Sequence, residues 1–283
     1  MENININFND MELEQITLGV DKIAVGVDKY LDIKVDNFSF KVFSQLVASS
    51  KSLVVFMPHA LARDVSDRIY PCFARWKWGA ELGVSSIVID DPTVYAGDLQ
   101  GGWFQGNEQH FALDEAVKLI LGVCASNDIP TQNVILYGSS LGGFAALMAA
   151  ASIQGSIAIA EIPQTDLPNY MFTSVITSLC DIVYGSKNIA EISAKYADRF
   201  FVIERYKKLQ TIPRMKLIHE LSDEPNGSVQ IYPFLAKLAV LAKELSHPVK
   251  DIEVQITNHG NGHVALRSYE AIPMIKAELK KHN

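Results

Sequence analysis

The sequence predicts an α/β fold in which a mostly parallel sheet is covered by helices on both faces. Three observations predict it: six β-type apolar runs, helically spaced segments between them, and no tight hairpin turn joining one run to the next. At 283 residues one core of this kind is expected to stay a single domain.

In chain order the runs are SLVVFM (52–57), SSIVID (85–90), NVILYG (133–138), SIAIAEI (156–162), MKLIHEL (215–221) and DIEVQIT (251–257). Each is short, rich in Val and Ile, and bounded by polar or turn residues, as a strand buried on both faces should be. Helices are expected over 67–82, 114–128, the stretch after Ser140, 229–246 and 265–282, where apolar residues recur at helical spacing. The first fifty residues alternate β-branched and polar residues, which predicts a β-rich extension forming an antiparallel hairpin or meander. Residues 163–212 break the strand and helix rhythm and predict a helical insertion, or cap, over the sheet's C-terminal edge.

Composition removes several classes of function. Lys and Arg total 25 against 32 Asp and Glu, with no basic run to line a nucleic-acid groove, so nucleic acid is not an expected partner. The polar, acidic start MENININFNDMELEQ lacks the basic and apolar regions of a secretory signal, and no apolar run reaches the length of a transmembrane segment. Cys72, Cys124 and Cys180 are far apart and odd in number, which fits buried thiols better than disulfides or metal ligands. A cytoplasmic protein is the expectation.

The stretch VILYGSSLGGFAALMAAA (134–151) carries the chemistry. Gly138-Ser139-Ser140-Leu141-Gly142 fits G-x-S-x-G between a strand and a small-residue helix, the context of a nucleophile elbow. There Ser140 takes a strained backbone conformation, and glycines flank it because a Cβ would collide with a neighbouring strand or helix. Ser139 stands one residue early. The Leu141 N–H, at the helix start, is a candidate oxyanion donor. A phosphate loop is disfavoured, since the Walker lysine is missing.

A serine nucleophile needs a base, and the base needs an orienting acid, in the chain order Ser, Asp or Glu, His. Asp223 follows the run ending at 221, and His259 and His263 lie in the loop before the final helix. His263 is preferred because it immediately precedes that helix; His259 is the alternative. Asp166 is the alternative acid, and Glu220 and Glu224 are read as solvated neighbours. The second oxyanion donor is expected from the backbone of His59 or Ala60, since Pro58 has no N–H. Asp90, Asp91, Trp103 and Gln164 follow strand ends on the side where such sheets bind ligands, which makes Asp91, Trp103 and Gln164 substrate-binding candidates. Trp103 could stack on a sugar; the alternative is an aromatic that packs its loop onto the sheet.

The segments FARWKWGAELGVSSIVIDDPTVY, GGWFQGNEQHFALDEAVKLI, VILYGSSLGGFAAL and AEIPQTDLPNY, within residues 50 to 170, resemble a bacterial α/β-hydrolase-like family of surface-polysaccharide biosynthesis. That family includes the capsule polysaccharide O-acetyltransferase of serogroup A meningococci and, more distantly, accessory-secretion proteins that modify adhesin glycans. The resemblance implies an α/β-hydrolase fold and a triad of Ser140, Asp223 and His263. It also implies acetyl transfer from acetyl-CoA through Ser140 to a polysaccharide hydroxyl, with no metal, and association with a membrane-bound polysaccharide synthesis complex. A carboxylesterase or deacetylase using the same triad, and a non-catalytic glycan- or protein-binding relative, are the alternatives. Arg63, Arg68, Arg75 and Lys77 are either partners for a phosphate-bearing glycan or the CoA phosphates, or a solvated helix face.

Overall fold

A computed structural model describes residues 11–61, 70–245 and 251–281. Nine strands form one sheet: β1 (Leu13–Thr17), β2 (Gly26–Val35), β3 (Phe38–Leu46), β4 (Leu53–Phe56), β5 (Ser85–Ile89), β6 (Val134–Ser139), β7 (Ile157–Glu161), β8 (Arg214–Glu220) and β9 (Ile252–Thr257). Their spatial order is β1-β2-β3-β5-β4-β6-β7-β8-β9. From β5 to β9 every pairing is parallel; β3 meets both β2 and β5 antiparallel. With helices on both faces, this is an α/β-hydrolase fold.

Side-chain alternation builds the two cores. In β4, Leu53 and Val55 enter one apolar cluster while Val54 and Phe56 enter the other; in β6, Val134 and Leu136 separate from Ile135 and Tyr137 in the same way. The larger cluster takes α2 (Ala112–Ser126) and α3 (Leu141–Ala150). The smaller takes Leu82 of α1 (Trp78–Leu82) and Ala271, Ile272 and Ile275 of α9 (Ser268–Leu279). All ten residues of α3 are buried, which its small side chains allow.

Between β7 and β8 run α4 (Thr173–Tyr184), α5 (Ile189–Lys195), α6 (Ala197–Phe200) and α7 (Val202–Leu209); α8 (Tyr232–Glu244) follows β8. The Tyr206 hydroxyl donates to the Leu147 carbonyl, and the Gln105 amide donates to the Arg199 carbonyl. These helices are therefore tied both to α3 and to the loop that follows β5.

Two expectations are corrected. The extension contains the β2–β3 hairpin, but β1 runs parallel to β2. The connecting segment is pinned under α2, where Ile23 is buried and the Asn127 amide donates to the Ile23 carbonyl, so the chain re-enters the sheet in the same direction. The helix expected over 67–82 spans only Trp78–Leu82; part of that range lies outside the described residues, and Arg75, at φ 64°, breaks the helical path. Among the described residues no helix is long and apolar enough to cross a membrane.

Candidate active site

The turn from β6 into α3 forces Ser140 to φ 54° and ψ −118°, a conformation that side chains rarely adopt. Two close approaches make room for it. A Cβ on Gly138 would lie 2.3 Å from the Gly142 backbone, and one on Gly142 would lie 2.5 Å from the Pro58 carbonyl oxygen. The strain is held by hydrogen bonds: Ser140 N–H donates to the Glu161 carbonyl at 2.9 Å, and Phe144 N–H to the Ser140 carbonyl at 3.1 Å.

His263 Nε2 lies 2.8 Å from Ser140 Oγ, and its Nδ1 lies 2.8 Å from Asp223 Oδ2. Asp223 is 2% exposed, and the Asn226 amide donates to the same oxygen at 3.1 Å. Because Asp223 accepts from Nδ1–H, Nε2 is left to accept the Ser140 proton. Residues 123 positions apart are thus joined in one hydrogen-bonded chain, an arrangement that can deprotonate a hydroxyl as it attacks a carbonyl.

Around that chain the other expected residues divide. The Gln164 amide donates to Ser140 Oγ at 2.8 Å. Among the described residues the N–H groups of Leu141, His59 and Ala60 hold no hydrogen-bond partner. Gly101 lies between these segments, since a Cβ there would meet both Leu141 Cδ1 and Ala60 Cβ. A small cavity of about 10 Å³ against Leu141 is walled by Pro58, His59, Leu61 and Gly101. The His59 ring turns to the Ala60 carbonyl.

Trp103 is fully buried, edge-on to Tyr170 at 5.5 Å between centroids, so it offers no face to a sugar and packs its loop instead. Asp91 is also removed from substrate contact. It is buried, and its two oxygens accept the Thr93 and Phe104 N–H groups, fixing the loop after β5.

His259 faces Glu270 at 3.9 Å rather than Ser140, and Asp166 caps a short turn through the Asn169 N–H. Glu224 accepts from the Ser228 hydroxyl. Arg75 is neither on a solvated face nor free for phosphates. Its guanidinium lies 5.3 Å from the Trp78 and Tyr137 ring centroids and donates to Ser139 Oγ at 2.7 Å. Lys77 lies over Trp76; Arg63 and Arg68 lie outside the described residues. Cys124 and Cys180 are buried and Cys72 half-buried; burial pushes all three thiols up to about 11.

Two carboxyls behind the His263 loop were not expected to matter. Glu220, read as solvated, is only 4% exposed. It accepts the His259 N–H through both oxygens at 3.0 Å, the Gly260 N–H at 3.2 Å, and the Ser222 and Thr257 hydroxyls. Burial pushes its carboxyl up, but the donors from His259, Ser222 and Thr257 outweigh burial and hold it at about 2. Glu161 accepts the Leu266 N–H and the Tyr137 hydroxyl. Burial pushes its carboxyl up to about 7, opposed by the charge of Arg75. The one signal in the sequence was position: each is the last residue of its strand, where a side chain faces the neighbouring loop.

A scan against protein-family models and a search of curated proteins give no match. Solved structures do match. The capsule O-acetyltransferase of Neisseria meningitidis serogroup A aligns with a TM-score of 0.62 at 17% identity, covering 92% of this chain and 97% of that one. A mutant of that protein has been solved in complex with CoA. The glycosylation-associated protein (Gap123) complex of Streptococcus agalactiae aligns at 0.59 and 15% identity over 92% of this chain, which spans 45% of that one. An acetyl xylan esterase from Paenibacillus sp. R4 aligns at 0.54 and 18% identity, covering 86% and 80%. These likenesses are of fold, and the first two agree with the family that residues 50 to 170 resemble.

Proposed function

We propose that this chain is a serine acyltransferase that moves an acetyl group from acetyl-CoA to a hydroxyl of a bacterial surface polysaccharide. The observation that carries the proposal is the hydrogen-bonded chain from Asp223 through His263 to Ser140 on a strained elbow. Ser140 Oγ attacks the thioester carbonyl as His263 Nε2 takes its proton, and Asp223 holds the imidazole in the tautomer that accepts it. The oxyanion is met by the Leu141 N–H and by that of His59 or Ala60. His263 then returns the proton to the leaving thiolate. In the second half it takes the proton of a sugar hydroxyl as that oxygen attacks the acetyl-serine carbonyl, and it returns the proton to the departing Ser140 Oγ.

The thioester carbonyl of acetyl-CoA is an electrophile of the kind that a serine paired with His263 and Asp223 attacks. Arg75 turns inward onto Ser139, Trp78 and Tyr137, so this reading assigns it no phosphate of the donor. The acceptor and the donor rest on the family resemblance and on the two capsule and glycosylation neighbours. The esterase neighbour supports a second reading, hydrolysis by the same residues, because the triad is common to both outcomes and water exclusion decides between them.

The test is turnover of acetyl-CoA by the wild type and Ser140→Ala, with and without a panel of capsular glycans. Ser140-dependent CoA release that rises with one glycan and leaves acetyl on it is the expected result. Release indifferent to every glycan, with rapid cleavage of simple esters, would replace transfer by hydrolysis.

A further inference from the structure

β9 is the outermost strand of the sheet, hydrogen-bonded to β8 on one side only among the described residues. Ile252, Val254 and Ile256 are 36%, 39% and 58% exposed. The Met215 N–H donates to the Asp251 carbonyl and the Leu221 N–H to the Thr257 carbonyl. In a parallel ladder alternate residues bond the same neighbour, so the odd-numbered positions face β8 and Ile252, Val254 and Ile256 direct their N–H and C=O groups outward. The three residues with unpaired backbone groups are thus also the three with exposed apolar side chains, all on one face.

Edge strands are ordinarily blunted by a lysine, a proline or a bulge. β9 has none of these. Its one charged residue, Glu253, is paired with Lys216 at 2.7 Å.

We propose that a second copy of this chain pairs with β9, antiparallel, about a two-fold axis at Val254. The strand's own sequence selects that occupant and that register. Closely bonded antiparallel pairs need outward-facing residues on both strands, so even-numbered positions must meet even-numbered ones. An axis at Val254 sets Val254 against the partner's Val254, Ile252 against the partner's Ile256, and Glu253 against the partner's Gln255. An axis at Glu253 would oppose two like charges, which is destabilising. An axis at Ile252, Gln255 or Ile256 would leave at least one of the three apolar residues without an apolar opposite. The remaining register is self-complementary along its whole length, as an isologous interface must be.

The experiment uses the full chain. Light scattering after size exclusion, over a range of micromolar concentrations, is expected to give twice the chain mass. Val254→Pro removes an N–H that bonds nothing in β8; the variant should melt like the wild type yet return to the chain mass. In Val254→Cys the paired Cα atoms would be about 5.5 Å apart, within reach of a disulfide, so mild oxidation should cross-link most of the protein. Glu253→Cys, opposite Gln255, should stay uncross-linked, as should the wild type. A wild type that is monomeric at every concentration overturns the proposal. So does a dimer that survives Val254→Pro, or one in which Val254→Cys fails to cross-link.

Discussion

The carboxylate of Glu220 accepts the backbone N–H of His259 through both of its oxygens, four residues before the imidazole that reaches Ser140. Together with the Gly260 N–H, and the Gly262 N–H held by Ser222, this fixes the loop on which His263 is carried. Glu220→Gln would turn an amide donor toward those N–H groups, leaving buried donors unpaired at a cost of about 1–3 kcal/mol. Denaturant unfolding should register that loss. Activity should fall through kcat while KM for the acyl donor holds, because the base is displaced rather than the substrate site. The sign of the pH effect follows from the depressed carboxyl. Its stabilisation is complete above the ordinary 4.5 and is lost as pH falls toward about 2. Acid unfolding of Glu220→Gln should lack that component, and an unchanged acid limb would refute the role.

Asp223→Asn tests the imidazole tautomer. Its amide would donate to Nδ1, placing the proton on Nε2, where it faces Ser140 instead of accepting from it. A fall in kcat on the order of 10³- to 10⁴-fold is expected, with stability little altered. His263→Ala should be comparably inactive, whereas His259→Ala should retain most activity, since its ring points to Glu270. Steady-state kinetics on the three variants separates the two histidines, and an inactive His259→Ala beside an active His263→Ala would reverse the assignment.

The elbow was legible because several rules coincide within a few residues: a buried strand, a glycine pair, and a helix of small side chains. The Asp223 and His263 loops were legible through chain order. Arg75, Glu161 and Glu220 were not, because their roles depend on what lies across the sheet. A charged residue reads as solvated until the neighbouring loop supplies its partners. Trp103 and Asp91 failed for the complementary reason. They do follow a strand end on the ligand side, but their loop folds back and buries both. The direction of β1 was hidden because its short connection is fixed by packing under α2, not by a turn signature.

Gln164 donates to the oxygen that would carry the acyl group. Gln164→Ala should lower kcat about tenfold, equivalent to about 1.4 kcal/mol of transition-state stabilisation. Gln164→Glu should be worse, because a carboxylate replaces the donor beside the developing negative charge. Pre-steady-state release of CoA would place the effect in formation of the acetyl-serine, and equal activity of both variants with wild type would remove Gln164 from the site.

Glu161 gives the opposite pH signature from Glu220. Burial raises its carboxyl to about 7, so its neutral form is the one the fold favours. That contribution is complete below the ordinary 4.5 and is lost as pH rises through about 7. Glu161→Gln mimics the neutral acid and keeps an acceptor for the Leu266 N–H. Thermal melts across about pH 5 to 8 should show the wild type losing stability relative to Glu161→Gln as pH rises. Parallel curves would mean that Glu161 is already ionised beside Arg75.

The close approach at Gly142 separates fold from chemistry. A Cβ there would lie 2.5 Å from the Pro58 carbonyl oxygen and 3.1 Å from that of Met57, and backbone cannot yield as a flexible side chain does. Gly142→Ala must therefore push the 57–60 segment away from α3, at a cost of about 1–3 kcal/mol. The same shift carries the His59 and Ala60 N–H groups away from Leu141, so the proposed oxyanion donors separate even where the protein remains folded. At a temperature well below its melting point, Gly142→Ala should show kcat reduced on the order of 10²-fold, the loss typical of one missing oxyanion donor. His263 and Ser140 should remain reactive toward a small serine-directed phosphonate. Full turnover in a folded Gly142→Ala protein would show that the 57–60 segment supplies no donor.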